Sequence, residues 1–568
     1  MRTVVRLSIL SLIASLFAGA ADAGPAPSPR LVVVLVVDQM RGDYIDRFGF
    51  QWTGGLRRLV DDGAWFRRAA YPYFTTVTCA GHATVSTGTF PRTHGMVGNA
   101  WFERDTGRGV GCTSDASVTT ISYGAPVAGG NGPSRLLVPT LSDEMRAQLP
   151  VPTRVVTVSG KERSAITLAG HRADAVSWFS SAAGTFVTSS VYTAAPVPFM
   201  ADALKAYPVA SDYGKTWTRM LPIDRYLFTD KGLGEKPPAH WTSEFPHVLA
   251  GSAGRPDAQF YDAWTTSPFL DDYLGRLAIM SVDALKLGQG RGTDFLGVSF
   301  SALDSVGHDF GPMSHEVQDV LARLDQTIGA LLAHLDRTAG AGNYVVALTG
   351  DHGVAPIPEQ TAALGIDAGR LDAATLTQAA VKALQAAFGA GEYTVRSQYA
   401  ELMLEPAVVE KLRRDPRALD QVLGALRAVP GVAGAYFGDH LGADAAAGDR
   451  DARAALLSYY PGRSGDFVVV PKPYWFYVTA DGTPQPGSAT THGSMYAYDQ
   501  RVPLILFGAG IKSGEYLRAA TPADIAPTLA HLCGITLARI DGEVLIEALS
   551  PAAASQPPPA RSAGAPNR

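Results

Sequence analysis

The stretch from Arg30 to Asp38 is a run of Val and Leu closed by an acid, the pattern of a strand buried on both faces of a parallel sheet. Comparable apolar runs recur at Thr153 to Ser159, Phe295 to Asp304, Tyr344 to Asp351 and Val502 to Phe507, several ending in polar residues or glycine. Between some of them the apolar positions keep one helical face. Val317, Val320, Leu321, Leu324, Ile328, Leu331, Leu332 and Leu335 do so behind Ser314, a residue suited to cap the helix. Strands alternating with helices predict an α/β fold with a doubly wound, mostly parallel central sheet flanked by helices.

Two long stretches, at about 177–268 and 355–490, break this alternation and are rich in Gly, Pro, Ala and aromatics. They read as cap regions inserted into the core, with Trp217, Tyr226, Phe228, Trp241, Tyr261 and Trp264 packing a cap. From Ser550 to the C-terminus the chain is Pro, Ala and Ser with almost no apolar bulk, so 550–568 is expected to be a disordered tail. There is no internal repeat.

At the N-terminus, Met-Arg-Thr-Val-Val-Arg precedes an apolar run from Leu7 to Ala20 and then Ala21-Asp22-Ala23, the form of a secretory signal over 1–23 with cleavage before Gly24. The run is short of the ~20 residues that span a bilayer, and no later segment reads as transmembrane. Export to the periplasm makes a disulfide possible. Three cysteines, Cys79, Cys112 and Cys533, leave one unpaired, and Cys79 with Cys112 is the pairing expected. A chain of 568 residues is long enough for at least one large core. Its formal net charge of −5 and its lack of a long Lys/Arg block exclude the electrostatic footprint of a nucleic-acid binder. Nothing in the pattern fixes an oligomeric state.

Chemistry gathers at the strand ends. Asp38 closes the first run, Asp304 closes another with His308 one helical turn on, Asp351 and His352 close a third, and His492 lies in the loop before the last. Open α/β sheets place their ligand crevices at such ends. Singly, an acid there is a helix cap or a turn residue, and a histidine is an ordinary surface or core group. Together, three Asp and three His suit Zn²⁺ or Mn²⁺ better than the oxygen-loving Mg²⁺ or Ca²⁺. Six ligands are too many for one tetrahedral zinc and the right number for two catalytic ions with three protein ligands each. Two metals about 4 Å apart can hold the attacking and leaving oxygens of a displacement at phosphorus.

The segment Tyr73 to Gly88 offers hydroxyls ahead of a short helical pattern, and Thr78 is the best placed as a nucleophile. A helix-capping role for Thr78 is the plain alternative, and Cys79 is the rival nucleophile.

The ordered series Val36-Val-Asp-Gln-Met40, Thr78-Cys-Ala-Gly-His82, His94-Gly-Met-Val-Gly-Asn99, Asp304-Ser-Val-Gly-His308, Thr349-Gly-Asp-His-Gly353 and Thr491-His-Gly493 resembles the alkaline phosphatase superfamily. Within it the chain is most similar to the phosphate-irrepressible bacterial alkaline phosphatases, which use a threonine nucleophile. The resemblance runs from about Arg30 to Leu549 and implies one alkaline phosphatase-like catalytic domain over 24–549. It implies that Asp304, His308 and His492 hold one zinc, which serves the leaving group. Asp38, Asp351 and His352 hold the other, which Thr78 joins before taking the phosphoryl group. It further implies that Asn99, with Lys161 and Arg163 of Ser159-Gly-Lys-Glu-Arg163, binds the non-transferred phosphate oxygens. A cationic pair suits the dianion of a monoester. The expectation is therefore an exported hydrolase of small-molecule phosphate monoesters working through a phosphothreonine. A phosphodiesterase or nucleotide pyrophosphatase with the same site is the alternative, and a non-catalytic metal- or phosphate-binding protein a more distant one. His82, His94 and His171 are expected to be structural.

Overall fold

The computed structural model describes residues 28–478 and 488–555, so the expected signal segment lies outside the described residues. Ten strands form the central sheet: β1 (Leu31–Val37), β2 (Ala64–Ala69), β3 (Thr120–Ser122), β4 (Val155–Ser159), β5 (Ala175–Ser180), β6 (Thr185–Ser189), β7 (Asp294–Phe300), β8 (Tyr344–Thr349), β9 (Leu504–Gly508) and β10 (Gly514–Ala520). Their order is β10-β2-β9-β8-β1-β7-β4-β5-β6-β3. The middle of the sheet, β8-β1-β7-β4-β5, is parallel throughout, as is the β2-β10 edge pair. The other pairings are antiparallel.

The composition of β1 follows from its place. Leu31, Val33, Leu35 and Val37 enter one core, while Val32, Val34 and Val36 enter the core on the opposite face. Helices α3 (Pro268–Leu285) and α5 (His315–Leu335) supply the first core, and α6 (Ile525–Cys533) supplies the second. Ser314 caps α5 as expected, its side chain accepting from the Val317 amide.

The expected strand from Phe295 to Asp304 divides in two. The chain leaves β7 at Phe300 and enters helix α4 (Ala302–Phe310), so Asp304 sits in a first helical turn. The cause is remote in sequence: one carboxylate oxygen of Asp271, on α3, accepts from the amides of Ser301 (2.8 Å) and Ala302 (3.0 Å).

The insertions also differ from expectation. Ser177 lies inside β5, and β6 is paired beside it, so the first excursion leaves the sheet only after Ser189. It has no core of its own; Trp217, Trp241, Phe260 and Trp264 join the main cluster. The second insertion packs a separate core around Leu384, Leu402, Val422, Leu426 and Phe467. Its four-stranded antiparallel sheet runs Val395–Gln398, Glu401–Leu404, Phe467–Pro471, Val432–Phe437. The first residues of the expected tail, 550–555, are structured. Ser550 caps a short helix, Pro551–Ala554, and Ala553 is buried in the second core, while 556–568 lie outside the described residues.

Candidate active site

Sheet register brings four strand ends to one edge. Val37 pairs with Phe300, Val36 with Thr349 and Ser299 with Ser159, so the chain following β1, β7, β8 and β4 emerges side by side. Asp38 follows β1 directly, Asp351 and His352 follow β8, Lys161 follows β4, and Asp304 and His308 lie on successive turns of α4. His492 comes from the loop before β9. The six form two trios, Asp38 with Asp351 and His352, and Asp304 with His308 and His492, each with its candidate ligand atoms within 4.8 Å of one another.

The three histidines are anchored in the same manner. Nδ1 of His308 bonds the Thr490 carbonyl at 2.8 Å, Nδ1 of His492 bonds that of Thr76 at 2.9 Å, and Nδ1 of His352 bonds that of Gly353 at 2.9 Å. A carbonyl only accepts, so each Nδ1 carries a proton and each Nε2 is turned toward the carboxylates, the atom left to bind a metal. Nε2 of His352 lies 3.3 Å from Asp351 and 3.5 Å from Asp38, and Nε2 of His308 lies 3.3 Å from Asp304. Burial, together with the neighbouring His352 and His308, pushes His492 well below the usual imidazole range, which keeps it in the neutral form that binds metals.

The carboxylates are short of donors. Oδ1 of buried Asp38 receives no hydrogen bond. Its Oδ2 is met by the Lys161 ammonium at 2.7 Å, which also stands 2.5 Å from Asp304. Burial and the nearby Asp351 push the Asp38 carboxyl well above its usual range. Asp304 is also buried, but Lys161, with His308 and His492, outweighs burial and holds it well below that range. Clustered carboxylates with few donors, facing imidazole Nε2 atoms, are what divalent cations complete, and the donor set fits zinc or manganese.

Thr78 opens helix α1 (Thr78–Thr87), whose residues are all buried. The cap position is Val77, with no side-chain cap bond, so Thr78 is not the helix cap. Its hydroxyl instead lies 3.4 Å from His352 Nε2. Cys79 is joined to Cys112 in a disulfide and offers no thiolate. Close approach of α1 to the end of β8 depends on Gly81, where a Cβ would come within 2.2 Å of the Asp351 carbonyl oxygen. One turn on from Thr78, His82 has a structural role that reaches the site: Nδ1 lies 2.9 Å from the Thr78 carbonyl and 3.2 Å from Asp351, and Nε2 lies 2.8 Å from Ser299. His94 and His171 are tied into side-chain and backbone bonds away from both trios.

A cleft of about 250 Å³ opens beside these groups, lined by Thr78, Asn99, Arg163, Asp304, His308 and His492. The Asn99 side-chain oxygen accepts from the Cys79 amide at 2.8 Å, which leaves its NH₂ as a donor to the cleft. Arg163, in the first turn of α2 (Glu162–Ala169), keeps a buried Nε without a protein acceptor. Lys161 is placed differently, among the carboxylates of both trios rather than along the cleft wall.

Gln39 was legible only as part of a motif. Held at φ +68°, it donates from its backbone to Asp351 (3.0 Å) and from its side chain to Asp304 (2.8 Å), tying the two trios together. Tyr399, from the second insertion, reaches the same cleft, and no pattern around it points there.

Residues 32–495 match the family described as type I phosphodiesterase/nucleotide pyrophosphatase. The chain is 30% identical over 520 residues to alkaline phosphatase PhoV of Synechococcus elongatus, covering 89% of this chain and 90% of the relative. It is 31% identical over 538 residues to alkaline phosphatase PafA of Elizabethkingia meningoseptica, covering 92% and 95%. The crystal structure of wild-type PafA superposes with a TM-score of 0.83 at 29% identity, over 92% of this chain and 99% of that one. A PafA structure altered at a threonine, an asparagine, a lysine and an arginine superposes equally well, at 0.83 and 28% identity over the same shares.

Proposed function

The chain belongs to the type I phosphodiesterase/nucleotide pyrophosphatase family of the alkaline phosphatase superfamily and is a phosphoric ester hydrolase; from that premise we propose that it is an exported zinc enzyme that hydrolyses phosphate monoesters through a covalent phosphothreonine at Thr78. The observation that carries the reading is the position of the Thr78 hydroxyl, at the N-terminus of a buried helix, 3.4 Å from a histidine of the inner trio and on the wall of the cleft. Asp38, Asp351 and His352 would hold one ion, and Asp304, His308 and His492 the other. Two bound zinc ions supply positive charge for the attacking and leaving oxygens and acidify the nucleophile.

The chain's own residues do the rest. Thr78 Oγ1 gives up its proton and forms its bond to phosphorus as the ester P–O bond breaks, and the departing oxygen takes up a proton to leave as the alcohol. Water then cleaves the phosphothreonine, releasing inorganic phosphate and restoring the hydroxyl. The Asn99 NH₂ and the Arg163 guanidinium face the non-transferred oxygens, and Lys161 adds charge behind them, an arrangement suited to a dianionic phosphoryl group. That relatives are named alkaline phosphatases supports the monoester reading over the diester one. Export is supported by the disulfide, which belongs in an oxidising compartment. Among the described residues, no helix is long and apolar enough to cross a membrane.

The test compares kcat/KM for an aryl phosphate and a bis-aryl phosphate, in the wild type and in Arg163→Ala. We expect the wild type to prefer the monoester, and the variant to lose about a hundredfold on the monoester and much less on the diester. A wild type that prefers the diester overturns the monoester reading.

A further inference from the structure

A second cavity lies beside the catalytic cleft, against the second insertion. It is a groove of about 560 Å³, and Tyr399, Thr491 and His492 line both spaces, so the two adjoin. Of the two trios only the outer one reaches it, through His492. Its walls are aromatic: Phe102, Tyr399, Trp475, Phe476 and Tyr498.

These walls are held in place by contacts that a ligand would not have to build. The indole N–H of Trp475 donates to Asp367 at 3.1 Å. One edge of the same ring lies so close to Gly431 and Gly369 that a Cβ at either would come within 2.3 Å or 2.9 Å of it. The Arg396 guanidinium is centred 5.2 Å over the Phe102 ring and donates to the Gly107 carbonyl at 2.7 Å. Tyr399 stands at the tip of the hairpin between Val395–Gln398 and Glu401–Leu404, at φ +50°, and its ring lies over Gly98, beside Asn99. Such a preformed, largely apolar concavity of several hundred Å³ is the form that small-molecule sites take.

We propose that this groove is the leaving-group subsite and that it receives a planar aromatic ring system carried on the alcohol side of the phosphate ester. The inference rests on the phosphomonoesterase reading above, because the outer trio is where the departing oxygen would sit. An aromatic alcohol then lies against Tyr399 and Phe102 while its phosphoryl group meets Thr78.

The zinc-reconstituted enzyme tests this with ethyl phosphate and 2-(2-naphthyl)ethyl phosphate, two primary alkyl esters of similar leaving-group basicity that differ in reach. The expected wild-type kcat/KM is higher for the naphthyl ester by at least about tenfold. That ratio collapses toward one in Phe102→Ala, which removes a wall, and in Ser397→Trp, which fills the groove from its strand. A wild-type ratio near one, or a ratio that survives in either folded variant, overturns the proposal. Binding of ethylphosphonate and 2-(2-naphthyl)ethylphosphonate is measured alongside. A naphthyl preference in binding that both variants abolish, in an enzyme that turns over neither ester, upholds the groove and sinks the hydrolytic reading.

Discussion

Asp38, Asp351 and His352 are closed off from solvent, whereas Asp304, His308 and His492 retain side-chain exposures of 7%, 14% and 6% at the cleft. The two trios use the same residue types, and the difference lies in what carries them. The inner trio extends directly from β1 and β8, adjacent strands whose register fixes Asp38 against Asp351. The outer trio joins two turns of α4 to a loop that follows the second insertion, so its geometry depends on the insertion as well as on the sheet. A nucleophile gains from a rigid, dry anchor, and a leaving group needs a way out. In the proposed mechanism Thr78 therefore works with the first trio, and the groove serves the second.

The largest effects that would break this division come from the ligands. Asp351→Ala and His492→Ala are each expected to lose one of two bound metals, measured as zinc per chain. Asp351→Ala lowers kcat/KM for an alkyl phosphate and for nitrophenyl phosphate alike. His492→Ala costs at least about a hundredfold on the alkyl ester, and much less where the leaving group is a weak base. Stronger leaving-group dependence in the inner variant would reverse the assignment.

A smaller effect sharpens the contrast in metal-free protein. A carboxyl whose pKa is raised on folding costs stability once pH passes its unfolded value, and one whose pKa is lowered contributes stability there. Burial, with Asp351, raises Asp38, while Lys161 and the two outer histidines lower Asp304. After chelation at neutral pH, Asp38→Asn is therefore expected to stabilise the chain and Asp304→Asn to destabilise it, read by denaturant unfolding. Equal signs for the two would contradict the electrostatic difference.

The smallest effect concerns the link between the trios. Gln39→Ala removes the side-chain bond to Asp304 but keeps the backbone bond to Asp351. Affinity should fall about tenfold for the outer ion and little for the inner one, in a titration with competing chelator.

The inner trio was legible in the sequence because buried parallel strands leave long runs of Val and Leu, and the residue closing such a run lies at the sheet's ligand edge. Asp304 was legible as a candidate ligand, though not as a helical residue, because the carboxylate that turns the chain there, Asp271, lies more than thirty positions upstream in another helix. Export made a disulfide possible without dictating which two of three cysteines pair, and the Cys79–Cys112 bond removes Cys79 as a nucleophile. Strands β2 and β10 escaped the reading because they lie toward one margin of the sheet, and most of β10 is exposed, so neither shows an apolar run. Tyr399 could not be found from its neighbours, since its place in the cleft depends on how an independently packed insertion folds back over Gly98. The expected start of the first insertion at Ser177 missed β5 because Ser177 and Ser180 interrupt an otherwise apolar strand.

The most direct test of the central claim is to quench the zinc-loaded enzyme in acid during turnover of a phosphate monoester and to map the phosphopeptide by mass spectrometry. The account predicts a single phosphate on Thr78, absent in Thr78→Ala, whose kcat falls at least about a thousandfold with both metals retained. Turnover undiminished in Thr78→Ala, or a phosphate carried on another residue, would contradict it.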